Sequence, residues 1–244
     1  MAAIAACSNG LPEGKRQELQ RLDKLLEQND ISVRMSRYLY EKSDGISGSG
    51  REKAEELMDF FENPAIRCIF DVSGGDMANE VLGYLDYQKI RESQAVFWGY
   101  SDLTVLLNAV YAKTGKASVL YQVRNLLYDD GPIRQKEFFG WIKEKKEDLF
   151  LLNGNFVQGD HLEGTVIGGN IRCFLKLAGT PYFPDFNDKI LFLESRSGQV
   201  PQMTTFFSQL QQTGAFDKIK GLILEPLHRW KPHPKILCRW RSGM

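Results

Sequence analysis

The chain has 244 residues, with 31 basic side chains matched by 31 acidic ones, and is 43% hydrophobic and 25% charged. That composition is globular and excludes a disordered, collagen-like or strongly basic nucleic-acid-binding chain; no apolar run reaches the ~18 residues needed to cross a bilayer. The apolar start at 2–6 has no basic flank and ends at Asn9, Gly10 and Pro12, so it reads as a buried strand rather than a secretory leader, and the cytoplasm is the expected compartment.

After that strand, Pro12-Glu13 opens an amphipathic helix with Leu19, Leu22, Leu25 and Leu26 at helical spacing. Residues 31–35 suit a second strand. The Ser- and Gly-rich loop 43–50 leads into a helix with Ala54, Leu57, Met58 and Phe61 on one face. Residues 65–72 and 95–98 read as strands. Each is followed by a polar turn, Ser73-Gly74-Gly75-Asp76 and Gly99-Tyr100-Ser101-Asp102, and then by a helix, one from about 77 and one through about 112. Strands alternating with helices at this spacing imply right-handed crossovers and a parallel sheet covered on both faces, an α/β fold. Functional groups in such sheets gather where strands end and helices begin, here at 73–76 and 99–102.

From about 131 the alternation weakens. Residues 134–148, with Phe138, Phe139, Trp141 and Ile142, read as a linker helix, and 151–170 is glycine-rich. A second unit then follows, with a helix at about 170–178, a strand at 189–194, a helix at about 200–212 and a strand at 219–224. The expected domains are 1–130, a linker at 131–154, and a smaller unit at 155–244. Within the latter, 225–244 stands apart: it holds Arg229, Lys231, Lys235, Arg239 and Arg241 against Glu225 alone, with Pro226, Pro232, Pro234, Trp230 and Trp240. The neutral total therefore sums an acidic body and a basic tail. The abrupt change is read as the mark of a frameshift or early termination of a longer gene, leaving the second domain incomplete.

Cysteines at 7, 68, 173 and 238 are too dispersed for a zinc site or a disulfide framework and read as free thiols. Asp71, Asp76 and Asp102 lack a His or second carboxylate at metal-ligand spacing, so neither metal nor cofactor is expected. Ser101 sits where a buried strand turns into a helix. It is either a helix cap or a nucleophile lifted above the sheet edge, with the Asp102 amide aimed at an oxyanion; the Gly-x-Ser-x-Gly form is not met, because Leu103 replaces the last glycine. Gly74-Gly75 is either a tight turn or a place where backbone approaches a ligand, the Gly75 amide then being a second oxyanion donor. No complete phosphate-loop pattern is present. Glu194, ending the strand Ile190–Leu193, is either an exposed strand-end acid or the acid that orients a histidine.

Four segments, Phe70–Asp76, Gly99–Asp102, Gly164–Asn170 and Ile190–Glu194, occur in the order seen in the LD-carboxypeptidases, and the chain resembles that family, its microcin C immunity branch included, from residue 2 to about 224. The resemblance implies a flavodoxin-like nucleophile domain, a smaller C-terminal domain, and a Ser-Glu-His serine peptidase site between them. It assigns the nucleophile to Ser101, the acid to Glu194 and the oxyanion donors to Gly75 and Asp102. It also implies murein tetrapeptides cut at an L,D bond, or aminoacyl nucleotides, as small substrates, and a homodimer; from composition, no nucleic-acid or membrane partner is expected. The family histidine follows a glycine further along and has no match here. His161 precedes Glu194, and His228 and His233 lie in the basic tail, so impaired hydrolysis is expected. The alternatives are a non-catalytic binder of a peptide or nucleotide-like ligand and, last, a flavodoxin-like cofactor protein.

Overall fold

The apolar runs at 2–6, 65–72 and 95–98 become the central strands of a parallel sheet. In the computed structural model, which describes residues 1–225 apart from 129, 152, 153, 196 and 197, this sheet contains β1 (Ala2–Ala5), β2 (Val33–Met35), β3 (Cys68–Asp71), β4 (Val96–Gly99) and β5 (Val119–Leu120). Their spatial order is β2-β1-β3-β4-β5, the flavodoxin-like winding, all parallel, with the order of strand addition switching sides between β1 and β3. The two-residue β5 lies in an apolar stretch, Val119-Leu120-Tyr121, too short to stand out as a strand.

The helices are α1 (Arg16–Glu27), α2 (Gly50–Glu62), α3 (Tyr87–Glu92), α4 (Thr104–Thr114) and α5 (Gly131–Glu144). Side chains alternate across the strands. Ala3, Ala5, Ile69 and Phe97 pack with α2, α3 and α4, while Ala2, Ile4, Phe70 and Trp98 pack with α1 and α5. Ser49 starts α2 with a reciprocal capping box to Glu52, which fixes where the Ser/Gly loop ends. The helix expected from about 77 is instead a 3₁₀ segment, Ala78–Tyr84, followed after Asp86 by the short α3. Helix α5, read from sequence as a connector, also closes a face of the sheet: Phe138 is fully buried with ring centroids 5.7 Å from both Phe70 and Trp98.

The second unit is a smaller parallel sheet of order β6-β7-β8, made of β6 (Thr165–Asn170), β7 (Lys189–Glu194) and β8 (Gly221–Leu224). It packs with α6 (Ile171–Leu175), α7 (Val200–Gln212) and α8 (Ala215–Lys218) around Ile167, Phe174, Leu191, Leu193, Met203 and Leu210. Strand β6 lies in the segment read only as glycine-rich. Gly168 and Gly169 take φ +109° and +129°, so the alternation that marks a strand is interrupted there. The helix expected at about 170–178 is confined to five residues. No helix among the described residues is long and apolar enough to cross a membrane. The basic tail from 226 onward, with His228, His233 and Cys238, lies outside the described residues.

Candidate active site

Strand β4 ends at Gly99, where an added Cβ would lie 2.6 Å from Leu103 Cβ; the strand and the incoming helix approach too closely for a side chain there. Ser101 carries the turn between them, with φ +58°, a left-handed conformation uncommon outside glycine. The 3₁₀ turn Ser101–Leu103 then runs into α4, and neither has a side-chain cap at its start. Ser101 is thus not a capping serine. The turn after β3 runs beside it: a Cβ on Gly74 would stand 3.8 Å from both Ser101 Cβ and Oγ.

Gly75 has φ +127°, and a Cβ there would fall 2.1 Å from Asn9 Oδ1. Glycine is required because the turn is laid directly on the loop after β1. Asn9 holds it, donating its amide to Gly74 O at 3.3 Å and accepting from the Asp76 amide at 2.9 Å. Below, the buried Asp71 carboxylate accepts from Cys7 N (2.7 Å), Ser73 N (2.9 Å) and Ser73 Oγ (2.5 Å), and Ser73 Oγ accepts from Ser8 N (3.0 Å). Burial raises the Asp71 pKa above the ordinary carboxylate range, opposed by the hydrogen bonds from Ser73 and Cys7. Burial, then the neighbouring Asp71, raises the Cys7 thiol pKa well above its usual value and keeps it unreactive.

Asp102 was singled out for its amide, which sits in the first helical turn and so has no carbonyl one turn earlier to donate to. Its side chain proves equally placed. Fully buried, it accepts from Ser8 Oγ (2.6 Å), Ala78 N (2.9 Å) and Lys176 Nζ (2.5 Å).

The second sheet docks on the start of α4 through backbone that glycine leaves bare. Asn108 donates to Gly168 O at 2.7 Å and accepts from Gly168 N at 2.9 Å; the Asn170 amide donates to Thr104 Oγ1 at 3.0 Å. A Cβ on Gly169 would come 2.7 Å from that same Thr104 Oγ1. Asn170 is the register partner of Glu194, which is only 3% exposed. Since Thr104 follows Ser101 by three residues, the Glu194 end of the second sheet is brought against the helix start that carries Ser101. The bland alternative of an exposed strand-end acid does not describe it.

Sequence reasoning missed the two cations of this seam. Arg172 pairs with the Asp76 carboxylate and donates to Gly75 O at 3.2 Å; Lys176 donates to Asp76 O at 2.9 Å as well as to Asp102. The hydrogen bond from Arg172 holds the Asp76 carboxyl below its ordinary range. Their one signal is the four-residue spacing that puts both on one side of α6 and the residue after it. Among the described residues the one histidine, His161, is strongly exposed and 3.7 Å from Glu163. No group of three or more His, Cys, Asp or Glu among the described residues converges as metal ligands. Two concavities of about 390 Å³ lie elsewhere, one beside Arg16, Met35 and Tyr40, the other beside Arg21, Lys24 and Tyr128.

A flavodoxin-like sheet carrying a serine on a left-handed strand-to-helix turn, with a second parallel sheet docked on that helix, defines a two-domain α/β protein with its candidate site at the seam. Residues 2–121 match the LD-carboxypeptidase N-terminal domain and residues 163–237 the LD-carboxypeptidase C-terminal domain. The chain belongs to the LD-carboxypeptidase family. The C-terminal match runs on past 224 into the basic tail, so the family likeness extends further than the expected limit; a change of composition there does not mark its end.

The microcin C7 self-immunity protein MccF of Escherichia coli is 30% identical over 210 residues, covering 73% of this chain and 61% of the relative. A protein of Bacillus subtilis described as a probable murein peptide carboxypeptidase is 25% identical over 214 residues, covering 85% of this chain and 66% of the relative. The chain thus spans under two thirds of the length of these curated relatives. Among solved structures, MccF in complex with aspartyl sulfamoyl adenosine superposes with TM-score 0.78 at 22% identity, covering 97% of this chain and 82% of that one, a likeness of fold.

Proposed function

We propose that the chain is a serine carboxypeptidase in which Ser101 is the nucleophile, Gly75 and Asp102 supply the oxyanion-binding amides, and Glu194 orients a histidine. The observation that carries this reading is the Ser101 turn, a left-handed serine with Gly74 against its Oγ and a helix start behind it. Ser101 Oγ would form a bond to the scissile carbonyl carbon while the carbonyl electron pair moves onto oxygen, which the two amides receive. With no described histidine assigned as base, the hydroxyl proton passes to water, and the leaving amine takes a proton from water as the C–N bond breaks. Water subsequently cleaves the acyl ester and frees Ser101.

The substrate is a small amide, either the L,D bond of a murein tetrapeptide, as the description of the Bacillus relative suggests, or an aminoacyl nucleotide, as the MccF complex suggests. Among the described residues the one histidine, His161, is exposed and paired with Glu163, so no described histidine is assigned as the base and slow turnover is proposed. A peptidase that lacks one triad member still retains about 10³- to 10⁴-fold catalysis over water from the oxyanion hole and binding. A cytoplasmic homodimer remains the proposed setting.

The test is hydrolysis of a murein tetrapeptide, beside an aminoacyl-adenylate analogue, by the chain and by Ser101→Ala. Slow cleavage of one of them that vanishes in the variant is expected. Equal turnover by both proteins would refute the role of Ser101, and tight binding without any cleavage would favour a binder.

A further inference from the structure

We propose that Lys176, assisted by Arg172, is a positioning residue for the oxyanion-binding turns, an inference that rests on the functional reading above. Each proposed oxyanion donor sits on a loop of the first domain, and each loop is tied to the same short stretch of the second. Lys176 Nζ reaches the Asp102 carboxylate at 2.5 Å and the Asp76 carbonyl at 2.9 Å, so one ammonium spans the turn after Ser101 and the turn after Gly75. Four residues earlier, Arg172 takes the Gly75 carbonyl at 3.2 Å and the Asp76 carboxylate. The Gly74–Asp76 turn is thus fixed from below by Asn9 and from the second domain by two cations.

The arrangement is also an electrostatic one. Asp102 places a fully buried carboxylate one residue from the proposed nucleophile, where negative charge would develop in the transition state. Lys176 is its ion-pair partner among the described residues. Without that cation, the buried carboxylate would oppose an oxyanion that exists only in the transition state, and the loss would appear in the maximal rate rather than in ground-state binding. The clamp also makes the oxyanion turns depend on domain docking: the donors belong to the first domain, while what holds their spacing comes from the second.

The experiment uses the full chain with Lys176→Met, Lys176→Arg and the half-exposed Arg172→Gln, and with Lys89→Met, which removes a surface ion pair with Glu62, as control. Two readouts are taken: amide hydrogen exchange in peptides covering 74–78 and 101–104, and phosphonylation of Ser101 by a fluorophosphonate, resolved into maximal rate and half-saturating concentration.

For Lys176→Met we expect exchange at 74–78 to rise at least about tenfold and the maximal rate to fall by about 10²-fold, the scale of one misplaced or lost oxyanion donor, with half-saturation within threefold. Lys176→Arg should restore most of the rate, Arg172→Gln should show a weaker version of the same pattern, and Lys89→Met should match the parent. Unchanged exchange in Lys176→Met, or faster exchange with unchanged phosphonylation, overturns the positioning role. Should the parent chain not be labelled at Ser101, the functional reading fails by itself, and the exchange data still decide whether the clamp exists. If Lys176→Met does not fold, the Arg172→Gln and Lys176→Arg pair carries the same comparison.

Discussion

The two sheets are stabilised in different ways. The first is covered on both faces, by α2, α3 and α4 on one side and by α1 and α5 on the other, and its central strands are almost wholly buried. The second leaves apolar side chains half-exposed on its edge strands, Val166 on β6 and Leu222 and Leu224 on β8. Its place against the first domain is set by apolar packing, with Cys173 and Leu177 buried in the first domain's core, and registered by polar contacts to backbone from Asn108, Thr104, Arg172 and Lys176. Hydrophobic burial is strong but non-directional, whereas hydrogen bonds fix position at small net gain. The candidate site lies where these regimes meet. The serine is held by a packed core, and its proposed acid by a seam that hydrogen bonds register.

This contrast can be broken from either side. Phe138→Ala removes a ring buried against Phe70 and Trp98 and should destabilise the first domain by about 4 kcal/mol in urea unfolding, with the second domain's transition little moved if the two melt separately. Gly168→Ala should strike the other side. Its Cβ would fall 2.1 Å from Phe192 O at φ +109°, so a cost of about 3 kcal/mol confined to the second sheet is expected, visible as early proteolysis after residue 155.

Asn108→Ala attacks the seam alone. It leaves the Gly168 amide and carbonyl without their partner and should cost about 2 kcal/mol while loosening docking more than either core, as hydrogen exchange would show. The smallest effect is on pH dependence. The Asp76 pKa is lowered in the folded state by Arg172, so its contribution to stability is present above the unfolded carboxylate value of about 3.9 and is lost as pH falls through the lower folded value. Arg172→Gln should move the Asp76 titration, followed by carboxyl NMR, back up toward the ordinary range and flatten that acid limb.

What the sequence disclosed divides along the same line. Strands β1, β3 and β4 were legible as apolar runs because both faces of the first sheet are buried, and the amphipathic leucines of α1 gave the layer that covers it. Strand β6 was hidden because Gly168 and Gly169 contribute no side chains to an alternation, although those glycines are what let Asn108 and Thr104 reach the backbone. At the site, Ser101, Gly75 and Asp102 could be singled out from local strand-turn-helix logic. The roles of Lys176 and Arg172 could not, because their partners lie 74 to 100 positions away and nothing local distinguishes a docking cation from a solvated one.

The left-handed backbone at Ser101 has a further consequence for variation at this position. Any residue with a Cβ inherits the unfavourable torsion, of the order of 1–3 kcal/mol, and only glycine escapes it. Ser101→Gly should therefore melt at a higher temperature than the parent while losing the hydroxyl. Selection for thermal endurance alone would erode serine at this position, and under the proposed function it is the nucleophilic hydroxyl that offsets the handicap.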